Sequence, residues 1–242
     1  MTIDSVPLTN DFRKRRLANE VMDDPDLSPE LHHQALLGLS RVNRISATTS
    51  QIWRPIRKLA DRLGRRDLRV LDIATGGGDV AIELKLQSDK AGYQLEIDGC
   101  DISPEAMRYA SENAHRSSAN VRFFALDVLE HSIPDGYDVI MSTLFFHHLK
   151  SDQVVGLLSN MDAAADHLVI VSDLRRSRFA YWLTWAMCRV ISRSPVVHAD
   201  GPLSVAAAFT SDEARGLAAQ AGLADAQVKD CWPWRFLLTS SR

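Results

Sequence analysis

The chain has 242 residues, 45% of them hydrophobic and 24% charged, with a formal net charge of −3. This length is enough for one α/β domain with a large core. The near-neutral charge provides no basic field, and no Asn-Pro-Pro-Tyr-like motif occurs, so we exclude nucleic acid as a partner. Cys100, Cys188 and Cys231 are too far apart to suggest a disulfide framework or a cysteine zinc site.

The longest apolar run, residues 179–188, is too short to cross a bilayer. Charged residues also interrupt the first part of the chain, which is atypical of a signal peptide. We therefore expect a cytoplasmic protein without stable membrane insertion. The sequence does not indicate an oligomeric state.

The first 60 residues have helical patterns and no strand pattern. Ser28 followed by Pro29 and Glu30 is typical of a helix start, and a second helix is predicted over residues 48–63. The sequence predicts a helical cap over residues 1–60 and a main domain over residues 61–242, together forming one structural unit.

From residue 68 onward, short apolar runs alternate with helical segments. Strands are predicted at residues 68–73, 94–100, 121–125, 137–142 and 167–171. This alternation indicates a parallel, doubly wound sheet. Residues 174–210 then form an insertion with an apolar helix, and two closing strands, at 226–231 and 235–239, are predicted to pair antiparallel. The predicted fold class is α/β: a Rossmann-like seven-stranded sheet with a terminal antiparallel strand pair, an N-terminal helical cap and an inserted lid helix.

The first predicted strand runs into a glycine-rich turn that reads Asp-Ile-Ala-Thr-Gly-Gly-Gly-Asp-Val over residues 72–80. Glycines allow positive φ angles and close approach of a ligand, and parallel sheets bind ligands at the carboxyl ends of their strands. The spacing from Gly76 to Gly78 and Ala81 also fits a dinucleotide fingerprint. Asp101 ends the second strand, where it could accept hydrogen bonds from a ribose diol.

Two later features argue against a dinucleotide site. Asp127 and Val128 follow the third strand, and Asp127 could accept a hydrogen bond from an adenine amino group. The fourth strand leads into Phe146-His147-His148-Leu149. With these features, residues 61–242 resemble the class I S-adenosylmethionine-dependent methyltransferases. The resemblance includes their first motif, matched from Asp72 to Gly78, although Ala74 stands where that family usually has glycine.

The resemblance implies S-adenosylmethionine as the cofactor. The residues expected to bind it are Asp72, Ala74, Thr75, Gly76, Gly78, Asp101, Ile102, Asp127, Val128 and Ser142. Residues 22–25, 41–44 and 197–204 are similar to a bacterial group of small-molecule methyltransferases, related to quinone-biosynthesis enzymes and to phenol methyltransferases associated with type III polyketide synthases.

The expected function is O-methylation of a small hydrophobic or aromatic, phenolic acceptor. The alternatives are C-methylation of a quinone-type ring, a nicotinamide-dependent oxidoreductase and a non-catalytic donor-binding module. Phe146, Trp182 and Trp185 are predicted to contact the acceptor, the two tryptophans from a lid helix that could instead serve structure alone or lie on a membrane surface. Asp200, in a predicted loop, could orient an acceptor hydroxyl or belong to a surface turn.

A phenol has an ordinary pKa of about 10, so a nearby base helps its methylation at neutral pH. His147 and His148 follow the fourth strand, beside the expected position of the donor methyl group. We predict that His147 is the base, with His148 and His198 as alternatives. The other histidines, at positions 32, 33, 115, 131 and 167, have no convincing metal-ligand spacing, so no metal is predicted.

Overall fold

The computed structural model describes residues 12–18, 20–24 and 27–242. Two short 3-10 helices cover Val21–Asp23 and Phe146–His148. The α-helices are α1 (Pro29–Ile45), α2 (Thr48–Leu63), α3 (Asp79–Lys90), α4 (Pro104–Arg116), α5 (Ser151–Ala164), α6 (Arg178–Ile191), α7 (Pro195–Ala207) and α8 (Ser211–Gln220). The strands are β1 (Asp67–Ile73), β2 (Gln94–Asp101), β3 (Val121–Ala125), β4 (Tyr137–Thr143), β5 (Ala165–Leu174), β6 (Gln227–Cys231) and β7 (Arg235–Ser241).

The seven strands form one sheet in the order β3-β2-β1-β4-β5-β7-β6. The first five strands pair with one another in parallel, and β7 is antiparallel to both β5 and β6. This topology confirms the predicted Rossmann-like sheet with its terminal antiparallel pair. The chain order reverses between β1 and β4, and the carboxyl ends of the strands beside such a switch point leave a crevice for a ligand.

Helix α2 belongs to the core of the main domain. Ile52, Ile56 and Leu59 recur at helical spacing, are buried, and pack with residues of β1, β2 and α3 on one face of the sheet. Helices α5 and α8 cover the other face. The predicted boundary at residue 60 lies within this helix, and the division of the chain at that point stays a prediction.

The insertion differs from its prediction. The predicted loop with His198 and Asp200 is helix α7, which begins at Pro195 after Ser194, whose side chain accepts a hydrogen bond from the backbone N–H of Val197. The pair Gly201-Pro202 resembles a turn in the sequence, but a Cβ on Gly201 would lie 2.6 Å from Sγ of Cys188. Glycine is needed here for the close packing of α7 against α6.

The described N-terminal segment is fastened to the domain by long-range hydrogen bonds. Arg15 donates to the backbone oxygens of Ala207, His147 and Leu149, at 2.6, 3.0 and 2.9 Å. The backbone N–H groups of Val21 and Met22 donate to the two carboxylate oxygens of Asp200, at 2.9 and 3.0 Å. This segment therefore lies across α7 and the end of β4. In the described part of the chain, no helix is both long and apolar enough to cross a membrane.

Candidate active site

A cavity of about 810 Å³ lies at the carboxyl ends of β1, β2 and β4 and is closed on the other side by α1, α6 and α7. Its volume is within the range of about 300–1,000 Å³ that is usual for small-molecule sites. The expected site residues that line it are Asp72, Ala74, Thr75, Gly76, Asp101, Ile102, Asp127, Val128, His147, His148 and Asp200. The expected residues outside its lining are Gly78, Ser142, Phe146, Trp182, Trp185 and His198.

The turn after β1 forms one wall of the cavity. Ala74, Gly76 and Gly78 all have positive φ angles, of 53°, 53° and 72°. A Cβ on Gly76 would have no protein atom within 4 Å, whereas one on Gly78 would lie 2.6 Å from the ring of Phe123. Gly76 therefore leaves room for a ligand, and Gly78 allows α3 to pack closely. The expected cofactor contact of Gly78 is replaced by a packing role.

Asp72 is buried beneath this turn. Its Oδ2 accepts a hydrogen bond of 2.6 Å from Oγ1 of Thr75, while its Oδ1 is buried with no hydrogen-bond partner among the described residues. Burial raises the pKa of Asp72 to about 7, against the lowering effect of the Thr75 hydrogen bond and with the support of the negative charges of Asp79 and Asp101. A buried oxygen without a partner in a cavity wall is suited to a polar or cationic ligand.

The acid at the end of β2 fixes the same turn. Asp101 accepts hydrogen bonds from the backbone N–H groups of Gly76 and Ser103, at 2.9 and 3.0 Å. Each carboxylate oxygen has a further lone pair for a ligand. Ile102, next in the chain, is 66% exposed and lies on the cavity wall, where it can cover a flat ring.

The loop after β3 supplies Asp127 and Val128, and Asp127 also accepts a hydrogen bond of 2.9 Å from the backbone of Leu129. Ser142, at the end of β4, is fully buried and donates to the backbone oxygen of Ile73 at 3.2 Å. Its side chain joins two strands and lies outside the cavity lining, so the expected cofactor contact of Ser142 has no support here and stays a prediction.

Sequence reasoning missed a buried polar chain beside the turn. Arg235 donates to Oδ1 of Asn43 at 2.5 Å, and Nδ2 of Asn43 donates to Asp79 at 2.9 Å. Burial lowers the pKa of Arg235 to about 10, so the guanidinium is charged at neutral pH. Its Nε and Nη1 are buried without a hydrogen-bond partner among the described residues, and all three side chains line the cavity. We call residues 72–79 and 101–102 with Asn43 and Arg235 the glycine end of the cavity.

The opposite part of the cavity contains His147, which is buried and held by Asp173 of β5. Nδ1 of His147 lies 2.7 Å from Oδ1 of Asp173, and the His147 backbone N–H donates to Oδ2 at 3.1 Å. Burial alone would lower the pKa of His147, but the charges of Asp173 and Glu20 outweigh it and raise the pKa to about 10. The protonated form of His147 is therefore favoured at neutral pH, and its role as a base stays a prediction.

Glu20 faces both histidines from the N-terminal segment. Its two oxygens lie 3.6 Å from Nε2 of His147 and 3.9 Å from Nε2 of His148, and Ser204 donates a hydrogen bond to Oε1. One ligand atom from each of the three residues lies within 4.8 Å of the others. We call Glu20, His147 and His148 the histidine end. No sequence pattern pointed to Glu20, because it lies 127 positions before His147 in the chain.

Three other expected contacts take different positions. Phe146 is buried in the core on the far side of its 3-10 helix, and its neighbour Phe145 lines the cavity instead. Asp200 holds the backbone of the N-terminal segment, as described above. Nε2 of His198 lies 2.6 Å from the backbone oxygen of Ser192, and this side chain is outside the cavity lining.

The two tryptophans that were expected to contact the acceptor are outside the cavity lining. Trp182 and Trp185 are 47% and 40% exposed and lie on the outer face of α6. Thr184 and Cys188 face the cavity instead. A helix that is apolar on every side does not reveal from its sequence which face is inside.

Comparison with known proteins relates this site to methyl-group transfer. Residues 70–166 match the family described as "Methyltransferase domain". The chain is 31% identical over 122 residues to the demethylmenaquinone methyltransferase of Thermus thermophilus, covering 49% of this chain and 53% of that protein. It is 41% identical over 75 residues to the release factor glutamine methyltransferase of Lactococcus lactis, covering 31% of this chain and 26% of that protein.

These matches span at most about half the length of the two curated relatives. The similarity in fold covers more of the chain than the similarity in sequence. The plantazolicin methyltransferase BpumL in complex with SAH superposes with a TM-score of 0.64 at 15% identity, and the superposition covers 91% of each chain.

Proposed function

We propose that the chain is a class I S-adenosylmethionine-dependent methyltransferase that transfers the methyl group of S-adenosylmethionine to an oxygen of a small, largely apolar acceptor. The observation that carries this proposal is that one cavity joins the glycine end to the histidine end. A donor held at the first end and an acceptor oxygen at the second would share one enclosed space.

The glycine end fits the donor molecule. The open space at Gly76 can admit the part of the donor that lies against the turn after β1. The unpartnered atoms of Arg235 and Asp72 suit the carboxylate and ammonium groups of the donor's methionine portion. Asp101 would hold the ribose hydroxyls, Asp127 the adenine amino group, and Ile102 with Val128 the adenine faces. When bound, the donor supplies a methyl group on a positively charged sulfur.

The rest of the cavity fits an acceptor with an apolar body and one polar group. Leu36, Leu39, Val196 and Val197 line it, while the histidine end offers polar atoms at its far side. Transfer from the sulfonium needs the acceptor oxygen in line with the sulfur–methyl bond. Such alignment can contribute on the order of 7–11 kcal/mol at its upper limit. The histidine end would hold the oxygen in this position and assist the loss of its proton.

A second acceptor chemistry has support in the similarity to a demethylmenaquinone methyltransferase. A quinol ring could occupy the same apolar space and be methylated on carbon. Incubation with donor carrying a ¹³C-labelled methyl group, followed by NMR of the product, distinguishes a methyl group on oxygen from one on carbon. A product methylated only on carbon would replace the O-methylation proposal.

The donor site is tested by Gly76→Val. A valine side chain would fill the space left for the donor, so calorimetry should detect a loss of S-adenosylmethionine binding of at least about 100-fold, or nearly 3 kcal/mol. The matched control is Gly64→Val, at the end of α2. Gly64 also has a positive φ and open space around its Cβ, so its variant has the same backbone strain outside the cavity.

Wild-type donor affinity in a folded Gly76→Val protein would contradict the placement. Binding of NAD instead of S-adenosylmethionine by the wild type would favour an oxidoreductase. A protein that binds the donor but methylates no member of a panel of phenols and quinols would point to a non-catalytic binding module.

A further inference from the structure

We propose that Glu20, His147 and His148 form a binding site for a divalent transition-metal ion, with Zn²⁺ as its representative. The ion would lie at the histidine end, facing the acceptor. This inference rests on the proposed function only for what the ion does in the reaction, since binding of the ion can be measured without any acceptor.

The distances between the three side chains suit one shared ion. Ligand atoms bound about 2.1 Å from a zinc ion lie about 3.4 Å apart in a tetrahedral arrangement. The two observed separations, 3.6 Å from Glu20 to His147 and 3.9 Å from Glu20 to His148, exceed this value by only a few tenths of an ångström. Each carboxylate oxygen faces a different imidazole, so all three residues can reach one point by small side-chain rotations.

The hydrogen bonds behind the cluster are those that a metal-binding histidine needs. Asp173 holds Nδ1 of His147 and thereby directs Nε2 toward Glu20. A carboxylate behind a ligating histidine fixes the ring orientation and makes the free nitrogen a better ligand. Asp173 is itself fixed by the backbone N–H groups of His147 and Leu174.

Glu20 is also held in place from behind. Ser204 of α7 donates a hydrogen bond to Oε1, and Asp200, one helical turn earlier, binds the backbone immediately after Glu20. The Glu20 side chain is only 10% exposed. A carboxylate in such a position needs a positive partner, which can be a protonated histidine or a metal ion.

The ligand types indicate which ion is suitable. Two imidazole nitrogens and one carboxylate oxygen suit zinc or ferrous iron, whereas magnesium and calcium prefer oxygen ligands. Three protein ligands leave a coordination position open, and here it would face the cavity. An acceptor hydroxyl placed there would have a lower pKa and release its proton to water. The acceptor oxygen would then take the methyl group, and the electron pair of the broken bond would stay on the donor sulfur.

The test is calorimetric titration of chelator-treated protein with Zn²⁺ alone. We expect the wild type to bind one ion in this cavity, and Glu20→Gln and His148→Asn each to weaken that binding by at least tenfold. The matched control is His198→Ala, which removes a histidine outside the cavity and should leave the affinity unchanged. His148 is partly exposed, so His148→Asn keeps the test usable if Glu20→Gln does not fold.

No saturable Zn²⁺ binding, or equal affinity in the wild type and both variants, would overturn the proposal. The absorption spectrum of bound Co²⁺ gives a second readout. Nitrogen and oxygen ligands produce no thiolate charge-transfer band, so the appearance of that band would place the ion on a cysteine and overturn the assignment.

The two proposals fail in different ways. Methyl transfer that continues unchanged in excess chelator would overturn the ion's part in the reaction and leave the proposed function standing, while the Zn²⁺ titration decides the site itself. Conversely, Zn²⁺ binding that depends on Glu20 and His148, in a protein that methylates no acceptor, would leave the metal site standing without the methyl transfer. Activity lost to chelator and restored by Zn²⁺ would support both.

Discussion

The two ends of the cavity are built in different ways. The glycine end comes mainly from loops that directly follow β1 and β2, and its shape depends on backbone angles such as those of Ala74 and Gly76. The histidine end is held together by side-chain hydrogen bonds and ion pairs with residues from other parts of the chain, at positions 173 and 200–204. Backbone substitutions can therefore perturb the glycine end, whereas the histidine end depends on groups remote in sequence.

His147→Asn should reduce turnover strongly while leaving donor binding at the glycine end nearly unchanged. His147→Asn should lower kcat by about 10²–10⁴, the share usually attributed to a group that handles a proton in the reaction. Asparagine can still donate a hydrogen bond to Asp173, so the fold should be kept while the atom that faces the cavity is lost. The donor dissociation constant should stay within about twofold, because His147 is not part of the glycine end. Steady-state kinetics and calorimetry measure the two quantities separately.

His198→Ala is the control for this prediction. His198 was an alternative base on sequence grounds, but its ring contacts the backbone of Ser192 outside the cavity lining. Its variant should turn over normally. Loss of turnover in His198→Ala with normal turnover in His147→Asn would reverse the assignment of the two histidines.

The next effect concerns stability at the glycine end. The pKa of Asp72 is raised from 3.8 to about 7, so the folded state favours the protonated acid more strongly than the unfolded chain does. Asp72 therefore makes the protein less stable as pH rises from about 4 to 7, by at most about 4 kcal/mol, and its effect is constant above that range. Asp72→Asn cannot ionise, and the amide oxygen can still accept the hydrogen bond from Thr75.

Chemical denaturation at pH 5 and pH 8 tests this sign. Asp72→Asn should be clearly more stable than the wild type at pH 8, with a smaller difference at pH 5. Equal differences at both pH values would mean that Asp72 does not titrate in this range. Donor affinity should fall in the variant at pH 8, because asparagine lacks the negative charge that suits the donor's ammonium group. A gain in stability with a loss of binding would identify Asp72 as a residue kept for function.

The sequence was a good guide where structure follows local patterns. Helix α2 and strand β3 have the predicted limits, and the closing strands pair antiparallel as expected. These elements have clear apolar periodicity or capping residues. Helix α7 was missed because Gly201 and Pro202 resemble a turn, although the glycine serves packing against Cys188.

The histidine end could not be predicted in the same way. The sequence singles out His147 and His148 because they follow a strand, but it gives no sign that Glu20 meets them or that Asp173 lies behind His147. Those contacts depend on Asp200 and Ser204, which hold the N-terminal segment from a helix almost 180 positions later. Likewise, the outward position of Trp182 depends on which face of α6 packs against α7, and a uniformly apolar helix does not encode that choice.

The weakest effect is expected for Ala74→Gly, which tests whether the backbone strain at the glycine end lowers stability and shapes the donor site. Ala74 has a φ of 53°, in the left-handed region, which costs a non-glycine residue about 1–2 kcal/mol. Ala74→Gly removes this strain but increases the flexibility of the unfolded chain, which opposes the gain by about 0.4–1 kcal/mol. We therefore expect a net rise in the free energy of unfolding of up to about 1.6 kcal/mol by chemical denaturation. Ala47→Gly is the matched control, because Ala47 has a φ of 50° on the exposed surface before α2. Both variants should gain stability, but only Ala74→Gly widens the cavity and should therefore alter donor affinity. A change in donor affinity common to both variants would mean that general stability governs binding. A loss of stability in Ala74→Gly alone would mean that the packing of the Ala74 methyl group stabilises the fold by more than its backbone strain destabilises it.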